Sequence, residues 1–347
     1  MKKIALCLAV LLLLCGCGRT EPEPAATPDP EPAPVQEENS ISFLAMDTYM
    51  TVRAWGADDD QLGAVRDAVY ELDELLSVTA ETSEIARLNA GDTVTLSEQT
   101  RTLLEKALQL CEKTDGALDI SLYPVVKAWG FTTSEYRIPH ETEINELLQN
   151  VGFRRIGLSG SGAILPEGME IDLGSIAKGY AGDLIASMLR EDGVTSAILD
   201  LGGNIHTVGA KPDGSPWRVG VRDPQSDGYL GVLSVEDKAV VTSGGYIRYF
   251  VGEDGETYWH IIDPSTGYPA KNGLISVTIV GDEGAVCDGL STSLFVMGLD
   301  KATDYWRQNG GFEAVFITDD GQVYVTAGLQ DTYEPRGAAC RVIGSKS

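Results

Sequence analysis

Histidine, cysteine, positive charge and long apolar runs are all scarce in this chain, and each scarcity removes a class of function. The 347 residues hold three histidines and six cysteines. Three of the cysteines fall within the first 17 residues; the others, Cys111, Cys287 and Cys340, are odd in number and widely spaced, which fits neither a zinc site nor a disulfide framework. They read as buried thiols. Lysine and arginine total 26 against 52 aspartates and glutamates, a formal charge of -26 that argues against nucleic acid or an anionic membrane surface as partner. The apolar run Ile4–Leu14 is shorter than the roughly 20 residues a spanning helix needs. No repeat of fixed period is visible.

What the N-terminus does contain is a secretion signal. Met1-Lys2-Lys3 is a positive start, Ile4–Leu14 an apolar middle, and Leu14-Cys15-Gly16-Cys17 places a small residue before Cys17, as a lipoprotein processing site requires. Residues 1–16 are expected to be removed and Cys17 to carry the lipid. Arg19 to Ser40, rich in proline and glutamate, cannot bury enough surface to fold and reads as a tether. At about 3.1 Å per residue it would reach on the order of 60 to 70 Å. The expected organisation is a signal peptide (1–16), a lipidated linker (17–40) and one functional domain (41–340), held to the outer face of the cell membrane by lipid alone.

Helical periodicity marks Val65–Leu76, Arg101–Thr114, Glu141–Asn150, Ile176–Arg190, Val286–Met297 and Lys301–Asn309. Strands are expected at Ser42–Ala54, Ser196–Leu201, Trp217–Val221, Ala239–Thr242, Thr257–Ile262, Gly273–Val280 and Glu313–Thr318. Several strands follow one another across Gly-Gly or Pro-x-x-Gly turns, which favours antiparallel pairing. The fold class read from this is α+β, as one large domain or two intimately packed lobes.

Five segments carry chemistry. Ile171 to Tyr180 reads as a strand end, a tight turn and a helix start, where free N–H groups attract anions. Lys178 is misplaced in a first helical turn unless an anion is bound there, and by spacing alone it is equally a solvated lysine. Asp200-Leu201-Gly202-Gly203-Asn204 and Ser243-Gly244-Gly245, the latter followed by Arg248, are two more glycine turns that allow close backbone approach. His260 lies where a strand runs into Pro264-Ser265-Thr266-Gly267 and is a candidate base or a core residue; His140 and His206 have no such setting. Asp288 and Thr292, four apart on one helix face, offer hard oxygens suited to Mg2+ or Ca2+, or a helix cap with an idle hydroxyl.

Taken in order, these segments resemble the FAD:protein FMN transferase family, the ApbE-like flavin transferases. The motifs are Met46-Asp47-Thr48, Ser83 to Asn89, Gly116 to Ser121, Ile171 to Asp183, Leu201 to Ile205, Thr242 to Gly244, His260 to Tyr268 and Cys287 to Gly298. The resemblance implies an ApbE-like, T-fold-like architecture with largely antiparallel sheets, FAD in a cleft between two lobes and Mg2+ beside its pyrophosphate. Met46, Ala117, Leu118, Asp119, Asp172, Lys178 and Ile261 match flavin-contacting positions; Asp288 and Thr292 match metal ligands, with Ser175 contributing a backbone carbonyl; His260 matches the catalytic base. Asp47 stands where glycine is usual, Ser175 replaces a common glycine or alanine, and Val78-Thr79 replaces an aromatic, leaving Tyr123 or Trp129 to stack on the flavin.

The implied reaction transfers the FMN moiety of FAD to a threonine or serine hydroxyl of an acceptor flavoprotein and expels AMP, with Mg2+ as cofactor. Membrane-bound subunits of Rnf or Nqr type, or extracellular flavoprotein reductases, are the expected partners. A hydrolase splitting FAD to FMN and AMP at the same site, and a non-enzymatic solute-binding lipoprotein, are the competing readings.

Overall fold

The computed structural model describes residues 37–337 and 339–344. Cys17, the signal segment and almost all of the expected tether lie outside these residues. The described residues cluster as one unit, and its first strand, β1 (Glu38–Ala45), begins three residues inside the segment read as tether. In chain order the elements are β1, β2 (Thr48–Trp55), α1 (Asp59–Leu76), α2 (Glu84–Asn89), α3 (Glu98–Lys113), α4 (Tyr123–Ala128), α5 (Glu141–Leu148), β3 (Gly157–Ser159), β4 (Gly162–Ile164) and α6 (Gly174–Glu191). There follow β5 (Ser196–Leu201), β6 (Asn204–Val208), β7 (Trp217–Arg222), β8 (Tyr229–Val235), β9 (Ala239–Gly244), β10 (Tyr249–Val251), β11 (Thr257–Trp259) and β12 (Leu274–Gly281). Then come α7 (Gly284–Asn309), β13 (Glu313–Thr318), β14 (Val323–Thr326), β15 (Tyr333–Pro335) and β16 (Cys340–Ile343).

Nine strands form one sheet in the order β1-β2-β5-β6-β9-β12-β13-β14-β16, and only β14 and β16 pair in parallel. The α+β expectation with mainly antiparallel pairing is met. The two lobes share this sheet. β1, β2 and β5 contribute to an apolar core with α1, α3 and α6, while β9, β12 and β13 pack on α7 around Phe295 and Trp306. The lobes join at β6 and β9, where only Ile205↔Val240 and His206↔Ala239 are in register.

α6 and α7 cross at the centre with little between their backbones. A Cβ on Gly179 would lie 2.1 Å from the Gly284 carbonyl, and one on Gly182 would strike the His206 ring. A carboxylate of each helix also bonds the backbone of the other. Asp183 of α6 accepts N–H bonds from Gly284 (2.6 Å) and Ala285 (3.0 Å) at the start of α7, and Asp288 of α7 accepts one from Gly179 (2.9 Å).

Some expectations need correction. Ser42–Ala54 is two strands, because Met46 and Asp47 both have positive φ (48° and 57°) and turn the chain. Asp47 fits there since aspartate tolerates that region better than most residues. The expected strand end at Ile171 is an extended loop whose ladder is mimicked by one side chain: Asn89 accepts the Ile171 N–H (2.8 Å) and donates to its carbonyl (2.9 Å). The strand expected to reach Ile262 stops at Trp259, so His260 follows a strand rather than lying in one. The two last helices are separate as expected: within the span written here as α7, Gly298 has non-helical backbone (φ 75°, ψ 166°) and divides one helix from the next. Cys111, Cys287 and Cys340 are free as read, but only the first two are buried; Cys340, on the edge strand β16, is half-buried, which corrects that part of the reading, and burial pushes the Cys111 thiol up to about 12.

Candidate active site

One cavity of about 490 Å³ collects the expected residues. Met46, Ala117, Leu118, Asp119, Asp172, Ser175, Lys178, His260, Ile261, Asp288 and Thr292 all line it. They arrive from the β1–β2 turn, the segment after α3, the N-terminal turns of α6, the end of β11 and the second turn of α7. Gly202, Asn204, Ser243, Gly244 and Arg248 from the other glycine turns line it as well. At Gly202, with φ +69°, a Cβ would lie 2.1 Å from the Thr48 hydroxyl, so glycine is required for the two turns to meet.

The floor is acidic. Burial holds Asp288 above the ordinary carboxylate range against the opposing pull of Lys178, the Gly179 N–H and the Asn204 amide. Asp172 is shifted upward for the same reason, opposed by the Gly174 N–H, which it accepts at 2.8 Å, and by Lys178 and Arg248. Neither carboxylate has a cation within 4 Å among the described residues. Lys178 and Arg248 carry the positive charge of the site, beside the start of α6, where Leu173 supplies no side-chain cap.

The donors near Asp288 suit a hard cation. Thr292 Oγ1 lies 3.2 Å from Ser243 Oγ, which holds the hydroxyl in the cavity wall. The Gly179 N–H, one turn after Ser175 in α6, donates to Asp288 Oδ2 at 2.9 Å. Carboxylate, hydroxyl and carbonyl oxygens without imidazole or thiolate match Mg2+ better than zinc.

His260 is placed as a base. Its Nδ1 lies 3.1 Å from the Arg248 carbonyl, which also accepts the His260 backbone N–H. A carbonyl only accepts, so Nδ1 carries the proton and Nε2 keeps its lone pair. Burial lowers the imidazole to about 4, the Arg248 carbonyl opposing the shift and the charges of Arg248 and Lys178 adding to it, so the ring is neutral at pH 7.

Other residues are sorted differently by the structure. Asp119 lines the cavity, but its oxygens are engaged by the Ser121 N–H and hydroxyl and by the Phe153 N–H (3.1 Å), which fixes the loop that presents Ala117 and Leu118. Asp200 accepts the Gly203 N–H and braces its own turn. Trp129 is overturned as a stacking partner: it is fully buried, with its indole N–H on the Gly267 carbonyl, and does not line the cavity. Tyr123 does line it. So do Phe131, 6.3 Å from the His260 ring, and Thr132, neither of which belongs to a motif visible in sequence.

A model of the ApbE family matches residues 46–316. The FAD:protein FMN transferase of Treponema pallidum (strain Nichols) is 36% identical over 278 residues, 74% of this chain and 76% of that protein. The FAD:protein FMN transferase of Klebsiella pneumoniae (strain 342) is 30% identical over 312 residues, 88% of this chain and 96% of that protein. Among solved structures, the ApbE protein of Thermotoga maritima superposes with a TM-score of 0.77 at 32% identity, covering 83% of this chain and 96% of its own. The flavin transferase ApbE of Vibrio cholerae gives 0.77 at 29% identity, covering 86% and 99%. The matched segment contains every cavity residue named above, and the chain belongs to the ApbE family of transferase enzymes.

Proposed function

We propose that the cavity binds FAD and transfers its FMN moiety to a threonine or serine hydroxyl of an acceptor flavoprotein, releasing AMP. The observation that carries this reading is the convergence on one cavity of a neutral imidazole with a free Nε2, two cations and a buried set of hard oxygens. Lys178, Arg248 and the first turn of α6 would hold the pyrophosphate. Asp288, Thr292 and the Ser175 carbonyl would hold Mg2+, which when bound supplies positive charge to the phosphate oxygens. His260 Nε2 takes the proton of the acceptor hydroxyl as its oxygen forms a bond to the FMN-side phosphorus, and the bond from that phosphorus to the AMP oxygen breaks.

Lipidation at Cys17 and a proline-rich tether would confine the reaction to the outer membrane face, within reach of acceptors such as Rnf- or Nqr-type subunits. Incubation with FAD, Mg2+ and an acceptor should yield covalently bound flavin. His260→Ala and Asp288→Ala should each lower the rate at least 10²-fold. Full activity in either variant would remove the proposal.

A further inference from the structure

We propose that Asn204 is a positioning residue of the site: its side-chain amide holds the Asp288 carboxylate in the orientation that offers an oxygen to the cation, and thereby sets how much Mg2+ the site requires. This rests on the metal site proposed above. Asn204 opens β6, on the face of that strand turned toward α6 and α7. Asn204 and His206 are 3% and 4% exposed, while Ile205 between them is half-buried and packs against the cluster that holds Trp217 and Val280. Strand alternation therefore puts the two polar side chains on one face and Ile205 on the other.

The position of His206 fixes that of Asn204. The His206 ring is wedged between the helices: a Cβ on Gly182 of α6 would lie 2.1 Å from its Nε2, and one on Gly284 of α7 would lie 2.0 Å from its Cε1. Asn204 stands two residues back, about 6 to 7 Å along the strand. A step of that size is about one turn of a helix. One turn from Gly182 is Gly179, and one turn from Gly284 is Asp288, the donor and acceptor of the 2.9 Å bond between the helices. The cavity selects this direction along the strand, since Asn204, Lys178 and Asp288 line it and His206 does not. Asn204 thus meets the helices where Gly179 bonds Asp288.

The amide is not consumed elsewhere in the fold. Its Nδ2 is sealed from solvent and meets no acceptor in hydrogen-bond geometry among the described residues, a rare condition for a buried amide. The carboxylate beside it is that of Asp288, where burial raises the carboxyl and Lys178, the Gly179 N–H and the Asn204 amide oppose it. The Gly179 N–H engages Oδ2 alone, which leaves the carboxylate free to rotate about its bond to Cβ. A second donor from the strand side stops that rotation. An ionised carboxylate offers about four lone-pair sites, so two donors leave room for a cation. An amide suits the task because it donates without charge: a lysine there would repel the cation, and an aspartate would repel Asp288.

The test uses the full chain and reads FAD binding, without turnover, by flavin fluorescence quenching over a series of Mg2+ concentrations. Asn204→Ala and Asn204→Leu, the second close in shape but without a donor, should each raise the Mg2+ concentration for half-maximal FAD binding about tenfold. FAD affinity at saturating Mg2+ should stay within twofold. The two variants differ in volume, so packing damage peculiar to one does not decide the result. An unchanged Mg2+ requirement in either folded variant would overturn the proposal. So would an equal fall in FAD affinity at saturating Mg2+, which would make Asn204 a contact of the dinucleotide instead. FAD binding by the unsubstituted protein that needs no Mg2+ is a distinct outcome, and would overturn the metal site together with the role of Asn204.

Discussion

The neutral state of His260 follows from where its ring lies. A half-buried imidazole whose Nδ1–H is held by the Arg248 carbonyl and whose neighbours include two cations gains little from a second proton, and desolvation chiefly lowers its midpoint to about 4. Nitrogen NMR of the imidazoles should show His260 protonating near that value, and a midpoint near 6.5 would contradict the burial described. The carboxylates behave oppositely. Asp172 and Asp288 are shifted up by the same burial, so removing Mg2+ should favour their protonated forms, and the pH at which Mg2+ restores FAD affinity should rise when Lys178 is changed to Met. A Lys178→Met protein with the unsubstituted protein's pH response would show that Lys178 does not act on these groups. Asp119 illustrates what sequence alone leaves open. Its place in a motif marks it as important, but only the bonds from Ser121 and Phe153 show that its oxygens shape a loop.

At the scale of elements, the bonds from the α7 start to Asp183 and from Gly179 to Asp288 hold together the two helices that carry Ser175, Asp288 and Thr292. Asp183 satisfies two N–H groups that would otherwise be left free at the start of α7, and a lost cap of this kind costs about 1 to 2 kcal/mol. Asp183→Ala should lower stability to urea by about that amount and raise the Mg2+ concentration needed for half-maximal FAD binding. Loss of stability with an unchanged Mg2+ requirement would separate the cap from the site. Gly179→Ala should cost more, about 1 to 3 kcal/mol, because its methyl group meets the Gly284 carbonyl. Most helices and the antiparallel strands were legible from periodicity and glycine turns, as were the eleven cavity residues from ordered motifs. The Met46–Asp47 turn was hidden because a single aspartate, without glycine, proline or asparagine beside it, interrupts an otherwise strand-like run. The loop at Ile171 looked like a strand because its partner, the Asn89 side chain, lies 82 residues away in sequence. Phe131 and Thr132 reach the cavity through the packing of α4, and no local pattern announces that.

For the whole molecule, acid stability is a contest between buried groups of opposite sign. His206 is buried between α6 and the sheet, and its midpoint is lowered from 6.5 to about 4, chiefly by burial. The unfolded chain therefore takes up a proton that the folded chain refuses as pH falls from 6.5 toward 4, and stability drops over that window by about 3 kcal/mol. Asp183, held above its ordinary range mainly by burial, works the other way and gains stability as it protonates. Urea denaturation from pH 7 to 4 should show a shallower decline in His206→Gln than in the unsubstituted protein; parallel curves would mean that His206 does not set the acid limit. The proposed flavin transfer needs both FAD and an acceptor, and one measurement bears on that most directly. With FAD and Mg2+ present, AMP and protein-bound flavin should appear in equal amounts and only when a hydroxyl-bearing acceptor is added; AMP released at the same rate without acceptor would contradict it.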